Sequence, residues 1–258
     1  MKEIKIAFFD VDGTLMDMKK RVITENTRAA LRGLQEKGVL VCIASGRGPC
    51  SLPLLQDVAF DVFLTFNGSY CYNREGVIFC DPIPHDDVRK IIDNAAAIGR
   101  PVAIGSPNRV VANGIDQNMS EYYAFGKIEV EVSDDFDEVA QQDIYQIVTG
   151  CCAQEYDAVL KDTKNARITA WWGRAVDIIP VNCSKGLGVQ KILEYYQMPA
   201  ECAMAFGDGT NDIEMLQTVG LGVAMGNASQ QVKALADDVC GSAADEGVYH
   251  YCLQHGLI

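Results

Sequence analysis

The chain has 258 residues, enough for one large domain or for a core with a second module. Apolar residues make up 48% and charged residues 22%, a balance that builds a globular core and argues against disorder; no apolar run approaches the ~20 residues that span a bilayer. The net charge of −13 argues against a nucleic acid or an anionic membrane as partner, since both select a basic face. A small anionic substrate held by one cation and a few local positive groups remains compatible with it.

In chain order, "MKEIKIAFFD" runs from apolar residues into acid without a small-residue cleavage site, and reads as a first strand rather than a secretory signal. "TENTRAALRGLQEKG" reads as a helix with Thr24 as N-cap, Ala30, Leu31 and Leu34 on one side, and Gly38 just past its end. "VLVCIA" and "VFLTF" are apolar throughout, as suits parallel strands covered on both faces. "SYCYNREGVIFC" is a hairpin with its turn at Asn73 to Gly76, and "HDDVRKIIDNAAAIG" a helix closed by Gly99. Six shorter, more alternating runs follow: "RPVAIG", "NRVVAN", "KIEVEV", "QDIYQIV", "ARITAWW" and "AVDIIP". They predict an antiparallel sheet with one face exposed or thinly covered. The parallel pattern then resumes, with strands "CAMAF" and "LGVAM" among helices "SKGLGVQKILEYY", "NDIEMLQTVG" and "NASQQVKALAD". The fold class is therefore α/β, a doubly wound parallel-sheet (Rossmann-like) core of residues 1–81 and 182–258, interrupted by an inserted α+β module at 82–181.

Ten cysteines without a CxxC pair, two of them (Cys42 and Cys202) inside apolar runs, point to reduced thiols in a cytoplasmic protein. Three scattered histidines offer neither a His-rich metal site nor a Ser-His-Asp triad.

Polar groups gather where the core strands end. "IKIAFF" runs into Asp10-Val11-Asp12-Gly13-Thr14, "VLVCIA" into Ser45-Gly46-Arg47, and "CAMAF" into Gly207-Asp208-Gly209-Thr210-Asn211-Asp212. Ligands of open α/β sheets bind beyond the carboxyl ends of the strands, so these segments converge on one crevice. If Asp10, Asp12 and Asp208 come within ~5 Å, each pair repels by about 3 kcal/mol at an effective dielectric of 20. A hard divalent cation relieves that repulsion; Mg2+ suits a site with few carboxylates and in turn suggests phosphate chemistry. Glycines at 13, 46, 207 and 209 let backbone N–H groups approach an anion. A carboxylate beside such a phosphoryl group can attack it and form an acyl phosphate.

"DVDGT", "SGR", Lys185 in "VNCSKG" and "GDGTND" resemble, in order and spacing, the four motifs of the haloacid dehalogenase-like (HAD) phosphatases. The long insert, and "FGDGTNDIEML" followed by "GVAMGNA", are similar to the Cof-like subfamily with a type IIB cap. The resemblance covers the whole chain. It implies that Asp10 is the nucleophile and that Asp12 protonates the leaving alcohol and then activates water. Mg2+ would be held by the Asp10 side chain, the Asp12 backbone carbonyl and Asp208. Ser45, the N–H of Gly46, Lys185 and Asn211 would bind the phosphate. Asp212 would orient Lys185 or a ligand of the metal without binding the ion. The implied substrate is a small phosphorylated metabolite, a sugar phosphate first, and the implied state a monomer or homodimer.

Local rivals exist for several of these residues. Asp12 also suits a turn, Ser45 a helix N-cap, Lys185 a solvated surface and Asp212 a helix first turn. Arg47 reaches substrate or pairs with an acid. Trp171 and Trp172 pack or touch substrate, and strand alternation lets only one of them face a crevice. Two other functions fit parts of the pattern. A phosphomutase of the phosphomannomutase kind shares the cap type, and a receiver-like phospho-switch shares the aspartate, Mg2+ and lysine, in about half this length.

Overall fold

The computed structural model describes residues 3–52, 58–126 and 128–258, apart from the side chain of Trp171. By its contacts the chain divides into two units, Met1–Gly46 with Pro53–Phe79 and Ser184–Ile258, and Arg47–Leu52 with Cys80–Cys183.

The first unit begins with β1 (Ile6–Phe9), all four residues buried, as their unbroken apolarity requires. Helix α1 (Glu25–Glu36) follows. Thr24 caps it by accepting from the Thr27 amide, and Gly38 stands past its end at φ +79°. Strands β2 (Leu40–Ala44) and β3 (Val62–Thr65) extend the sheet parallel to β1. Strand β4 (Tyr70–Asn73) turns back antiparallel to β3 and leads into the edge strand β5 (Val77–Cys80). The Asn73 side chain holds the turn between them by accepting from the amides of Glu75 and Gly76.

The second unit is a six-stranded sheet with helices on both faces. In chain order it contains α2 (His85–Ala97), β6 (Val102–Gly105), β7 (Val110–Ala112), α3 (Gln117–Gly126), β8 (Glu131–Val132), α4 (Phe136–Val139), β9 (Gln146–Thr149), α5 (Tyr156–Val159), β10 (Ala166–Trp172) and β11 (Ala175–Pro180). The strand order is β10-β11-β9-β6-β7-β8. All six expected strands form, but β8 runs parallel to β7 where an antiparallel sheet was expected. The reason is α3, a helix absent from the sequence reading, which carries the chain back before β8 begins. Val88, Ile91 and Ala95 of α2 pack on one face with Val102, Ile104, Ile147, Val176 and Ile178. Met119 and Tyr123 of α3 pack on the other with Ala103, Ala112 and Val148.

Back in the first unit come α6 (Lys185–Tyr195), capped by Ser184 on the Leu187 amide, then β12 (Ala203–Gly207), α7 (Ile213–Thr218), β13 (Leu221–Ala224), α8 (Gln230–Leu235), β14 (Asp238–Val239) and α9 (Gly247–Gln254). The eight strands lie in the order β14-β13-β12-β1-β2-β3-β4-β5. From β1 the chain winds outward through β2 and β3. After the second unit it restarts on the other side of β1 at β12. The reversal of direction thus falls between β1 and β12, where doubly wound sheets open a crevice for ligand. The ten cysteines are free thiols. Among the described residues no helix is long and apolar enough to cross a membrane.

Candidate active site

The site is built from the carboxyl ends of neighbouring parallel strands in the first unit. Phe9 and Phe206 pair in register on β1 and β12, and their rings stack at 5.2 Å. The Asp10 amide donates to the Phe206 carbonyl at 3.0 Å, so Asp10 emerges beside the end of β12. Directly after Asp10 the chain folds over itself, with Leu15 N–H on the Asp10 carbonyl and Gly13 N–H on the Met16 carbonyl. Gly13 sits at φ +91°, and a Cβ there would lie 2.3 Å from an Asp208 carboxylate oxygen. Only glycine lets the loop pass so close to Asp208.

Asp10, Asp208 and Asp212 bring one carboxylate oxygen each within 4.8 Å of one another. Lys185 enters from the first turn of α6, 1% exposed, and places Nζ 2.6 Å from Asp10 Oδ1 and 2.6 Å from Asp212 Oδ1. This excludes the solvated-surface alternative for Lys185. Burial alone would lower its pKa, but the two carboxylates outweigh burial and hold it above the ordinary lysine range. Burial pushes Asp10 well up, with Lys185 pulling it back and Asp212, Asp208 and Asp12 adding to the rise. Burial, then Asp212, push Asp208 up to about 7, against Lys185 and hydrogen bonds from Thr14 and Asn227.

The two oxygens of Asp212 have separate tasks. Oδ1 accepts from Lys185, while Oδ2 accepts from the amides of Asp208 and Gly209 at 3.0 and 2.9 Å. Asp212 thus braces Lys185 and the Asp208 loop, while Asp10, Asp208 and Asp212 together form a carboxylate group that could hold a metal ion. The Asp12 side chain is not part of the three-carboxylate cluster; the residue is half-buried in the loop after β1.

Ser45 follows β2, 1% exposed, with its amide on the Leu64 carbonyl. It caps no helix, because the nearest helical turn, Pro49–Ser51, has Gly48 at its N-cap. Asn211 donates from Nδ2 to Asn67 Oδ1 at 2.9 Å. Arg47 donates through one guanidinium nitrogen to the carbonyls of Ser51 and Gly126, within the second unit. Trp172 meets Phe125 edge-on and carries Arg174 over its ring at 4.3 Å. The Trp171 side chain lies outside the described residues, and a register shift between Thr169 and Trp172 interrupts the simple alternation expected there.

Three further residues belong to this constellation and were not singled out from sequence. Asn227, after β13, donates to Asp208 Oδ2 at 3.0 Å and to the Gly13 carbonyl at 2.9 Å, tying the two acidic loops together. Thr14 donates to Asp208 Oδ1 at 3.4 Å. Asn67, after β3, holds Asn211. The first two lay inside quoted motifs, "GVAMGNA" and "DVDGT", where a strand-end position was the available signal.

Comparison with known proteins identifies the family. The profile of the haloacid dehalogenase-like hydrolases matches residues 7–252, and the chain belongs to that family, on its Cof-like phosphatase branch. The chain is similar to YkrA of Bacillus subtilis, which carries a phosphatase name, with 31% identity over 256 residues and 98% of each chain covered. It is also similar to the 5-amino-6-(5-phospho-D-ribitylamino)uracil phosphatase YitU of the same organism, at 28% identity and 95% coverage of each. Among solved structures, a HAD subclass IIB sugar phosphatase superposes with a TM-score of 0.86 at 28% identity, covering 98% of this chain and all of the other. The enzyme class these likenesses define is phosphoric monoester hydrolase.

Proposed function

We propose that the chain is a Mg2+-dependent phosphatase of small phosphorylated metabolites, with sugar phosphates as its first substrate class, working through an aspartyl phosphate on Asp10. The observation that carries this reading is the Lys185 ammonium held between Asp10 and Asp212 at 2.6 Å each, with Asp208 alongside, at the strand ends where the sheet reverses direction. The substrate classes named for YitU and for the sugar phosphatase are both phosphate esters of small polyhydroxylated molecules. Residues 82–181 are then the type IIB cap inserted in a core of 1–81 and 182–258. The free thiols suit a reducing cytoplasm.

The donor set fits a divalent ion. Asp10, Asp208 and Asp212 carry three negative charges when ionised and Lys185 returns one, so the buried cluster is two positive charges short. Hard oxygen donors in a small cluster suit Mg2+, with carboxylate oxygens of Asp10 and Asp208 and the Asp12 carbonyl as the protein ligands. Bound there, Mg2+ would supply charge neutralisation for the carboxylates and for the phosphate oxygens.

The residues then act as follows. Lys185 fixes the Asp10 carboxylate through Oδ1, so that it presents one face to the phosphorus. Ser45, the Gly46 amide and Asn211 hold the phosphate oxygens. Asp10 forms a bond to phosphorus as the bond to the substrate oxygen breaks, and Asp12 gives that oxygen its proton. Asp12, now ionised, takes a proton from the water that attacks phosphorus and frees Asp10.

This account separates the two steps by leaving group. An aryl oxygen leaves without a proton, so Asp12→Asn should still form the aspartyl phosphate from an aryl phosphate and then stall. Rapid mixing should show a burst of about one equivalent of phenol followed by slow release of phosphate. A linear time course, with aryl and alkyl phosphates slowed alike, would contradict the role given to Asp12.

A further inference from the structure

Among the described residues of the first unit, the turn after β3 is the stretch where three consecutive residues take positive φ. Phe66, Asn67 and Gly68 have φ of 49°, 55° and 97° in succession. Positive φ is uncommon for any residue with a Cβ and severe for a bulky one such as Phe66, which is fully buried. Such strain persists only where surrounding structure imposes it. Here the Ser69 hydroxyl donates to the Phe66 carbonyl at 2.9 Å, and the Thr65 hydroxyl to the Tyr70 carbonyl at 2.9 Å, pinning the turn from both sides.

What the turn touches explains why it is kept. The Asn67 amide donates to the Ser45 carbonyl at 3.0 Å. The Asn67 carboxamide lies against Gly46, where a Cβ would meet its Nδ2 at 3.1 Å and its Oδ1 at 3.2 Å. Oδ1 accepts from Asn211 Nδ2 at 2.9 Å. One residue on, Gly68 passes so close to α6 that a Cβ there would lie 2.1 Å from the Ser184 carbonyl, next to Lys185. Two consecutive residues, Asn67 and Gly68, therefore abut the Ser45–Gly46 loop, Asn211, and the start of the lysine helix, three segments far apart in sequence.

We infer that the Phe66–Asn67–Gly68 turn is the spacer that sets the distances between the three phosphate-holding segments, and that Asn67 is the positioning residue for Asn211. The inference rests on the phosphatase reading above. Asn67 is 3% exposed and acts through its neighbours: its Oδ1 fixes which way the Asn211 carboxamide faces, and its backbone fixes the height of the Ser45 loop. Asparagine is the side-chain-bearing residue that tolerates the left-handed region best while offering a carboxamide acceptor.

The test is a double-mutant cycle of Asn67→Gly and Asn211→Ala. Asn67→Gly keeps the left-handed backbone and removes only the carboxamide. It should melt within a few degrees of wild type, lower kcat/KM for an aryl phosphate by about 10-fold, and weaken inhibition by inorganic phosphate by a similar factor. The double variant should be no worse than Asn211→Ala alone, because the two residues act as one unit. Asn67→Ser, too short to reach Asn211, serves the same cycle should the glycine variant not fold. Losses that multiply in the double variant, or an Asn67→Gly enzyme with wild-type kinetics and phosphate inhibition, would overturn the inference while leaving the phosphatase reading intact. Should wild type turn over no phosphomonoester, the phosphatase reading fails, and calorimetric binding of inorganic phosphate to the same four proteins decides the role of Asn67 by the same non-additivity.

Discussion

Asp177, on β11 of the second unit, is 4% exposed, and its carboxylate accepts from the Tyr122 hydroxyl of α3 at 2.5 Å. Burial raises its pKa to about 7, with the Tyr122 bond opposing the rise. The folded protein therefore holds a proton on Asp177 that the unfolded chain has already released above the model-peptide value near 4. Because the folded state binds more protons in this window, its stability falls as pH rises, and the fall ends once pH passes the folded pKa. A difference of roughly three pKa units corresponds to about 4 kcal/mol in full. Asp177→Asn keeps an acceptor for Tyr122 and removes the ionisation. Urea unfolding of wild type and variant at matched pH should show the variant's relative stability growing by about 2 kcal/mol between pH 5 and pH 7, then levelling off above about pH 8. A difference constant with pH, or one that shrinks as pH rises, would refute the reasoning.

Lys185→Met leaves Asp10, Asp208 and Asp212 facing one another without a cation, at about 3.5 kcal/mol of repulsion per ionised pair at an effective dielectric of 20. Without added metal it should unfold about 3–5 kcal/mol more easily than wild type at pH 8 by urea titration, and it should lose turnover by at least ~1000-fold. Gly13→Ala forces a Cβ into the Asp208 carboxylate from a left-handed backbone. It should cost about 1–3 kcal/mol in thermal unfolding and roughly 100-fold in kcat/KM. Asn227→Ala should raise the Mg2+ concentration needed for half-maximal activity several-fold, with little change in melting temperature, since Asn227 is exposed and steers Asp208.

The sequence showed the core clearly because its signals there are local. Unbroken apolar runs mark β1, β2, β3, β12 and β13, and each acidic or Ser-Gly segment directly follows a strand, so placing the strands placed Asp10, Ser45 and Asp208. The resemblance already gave Asp212 the task of orienting Lys185; its hydrogen bonds to the Asp208 and Gly209 amides are what the folded loop adds. Asn67 was hidden because its partner is 144 positions away and its backbone is left-handed, a state that local propensity disfavours even for asparagine. Helix α3 was hidden for another reason. Met119, Tyr122 and Tyr123, at i, i+3 and i+4, pack together towards the second unit's sheet and Phe125 meets Trp172 of β10, but tyrosines in place of aliphatic residues make the helix's apolar stripe in "DQNMSEYYAFG" weak. Its start is set by the Asp116 side chain accepting from the Met119 amide at 2.8 Å, a capping signal that is easy to read once the helix is known. The parallel pairing of β8 followed from the same omission.

The central claim is that Asp10 is a nucleophile working beside a divalent ion, and phosphate release from a panel of sugar phosphates and one aryl phosphate tests it most directly. Wild type and Asp10→Asn would each be assayed with Mg2+ and with chelator. The account predicts release by wild type with Mg2+ alone, and loss of that release either on chelation or on the single Asp10 substitution. Release that survives in Asp10→Asn, or that is indifferent to chelator, would contradict it.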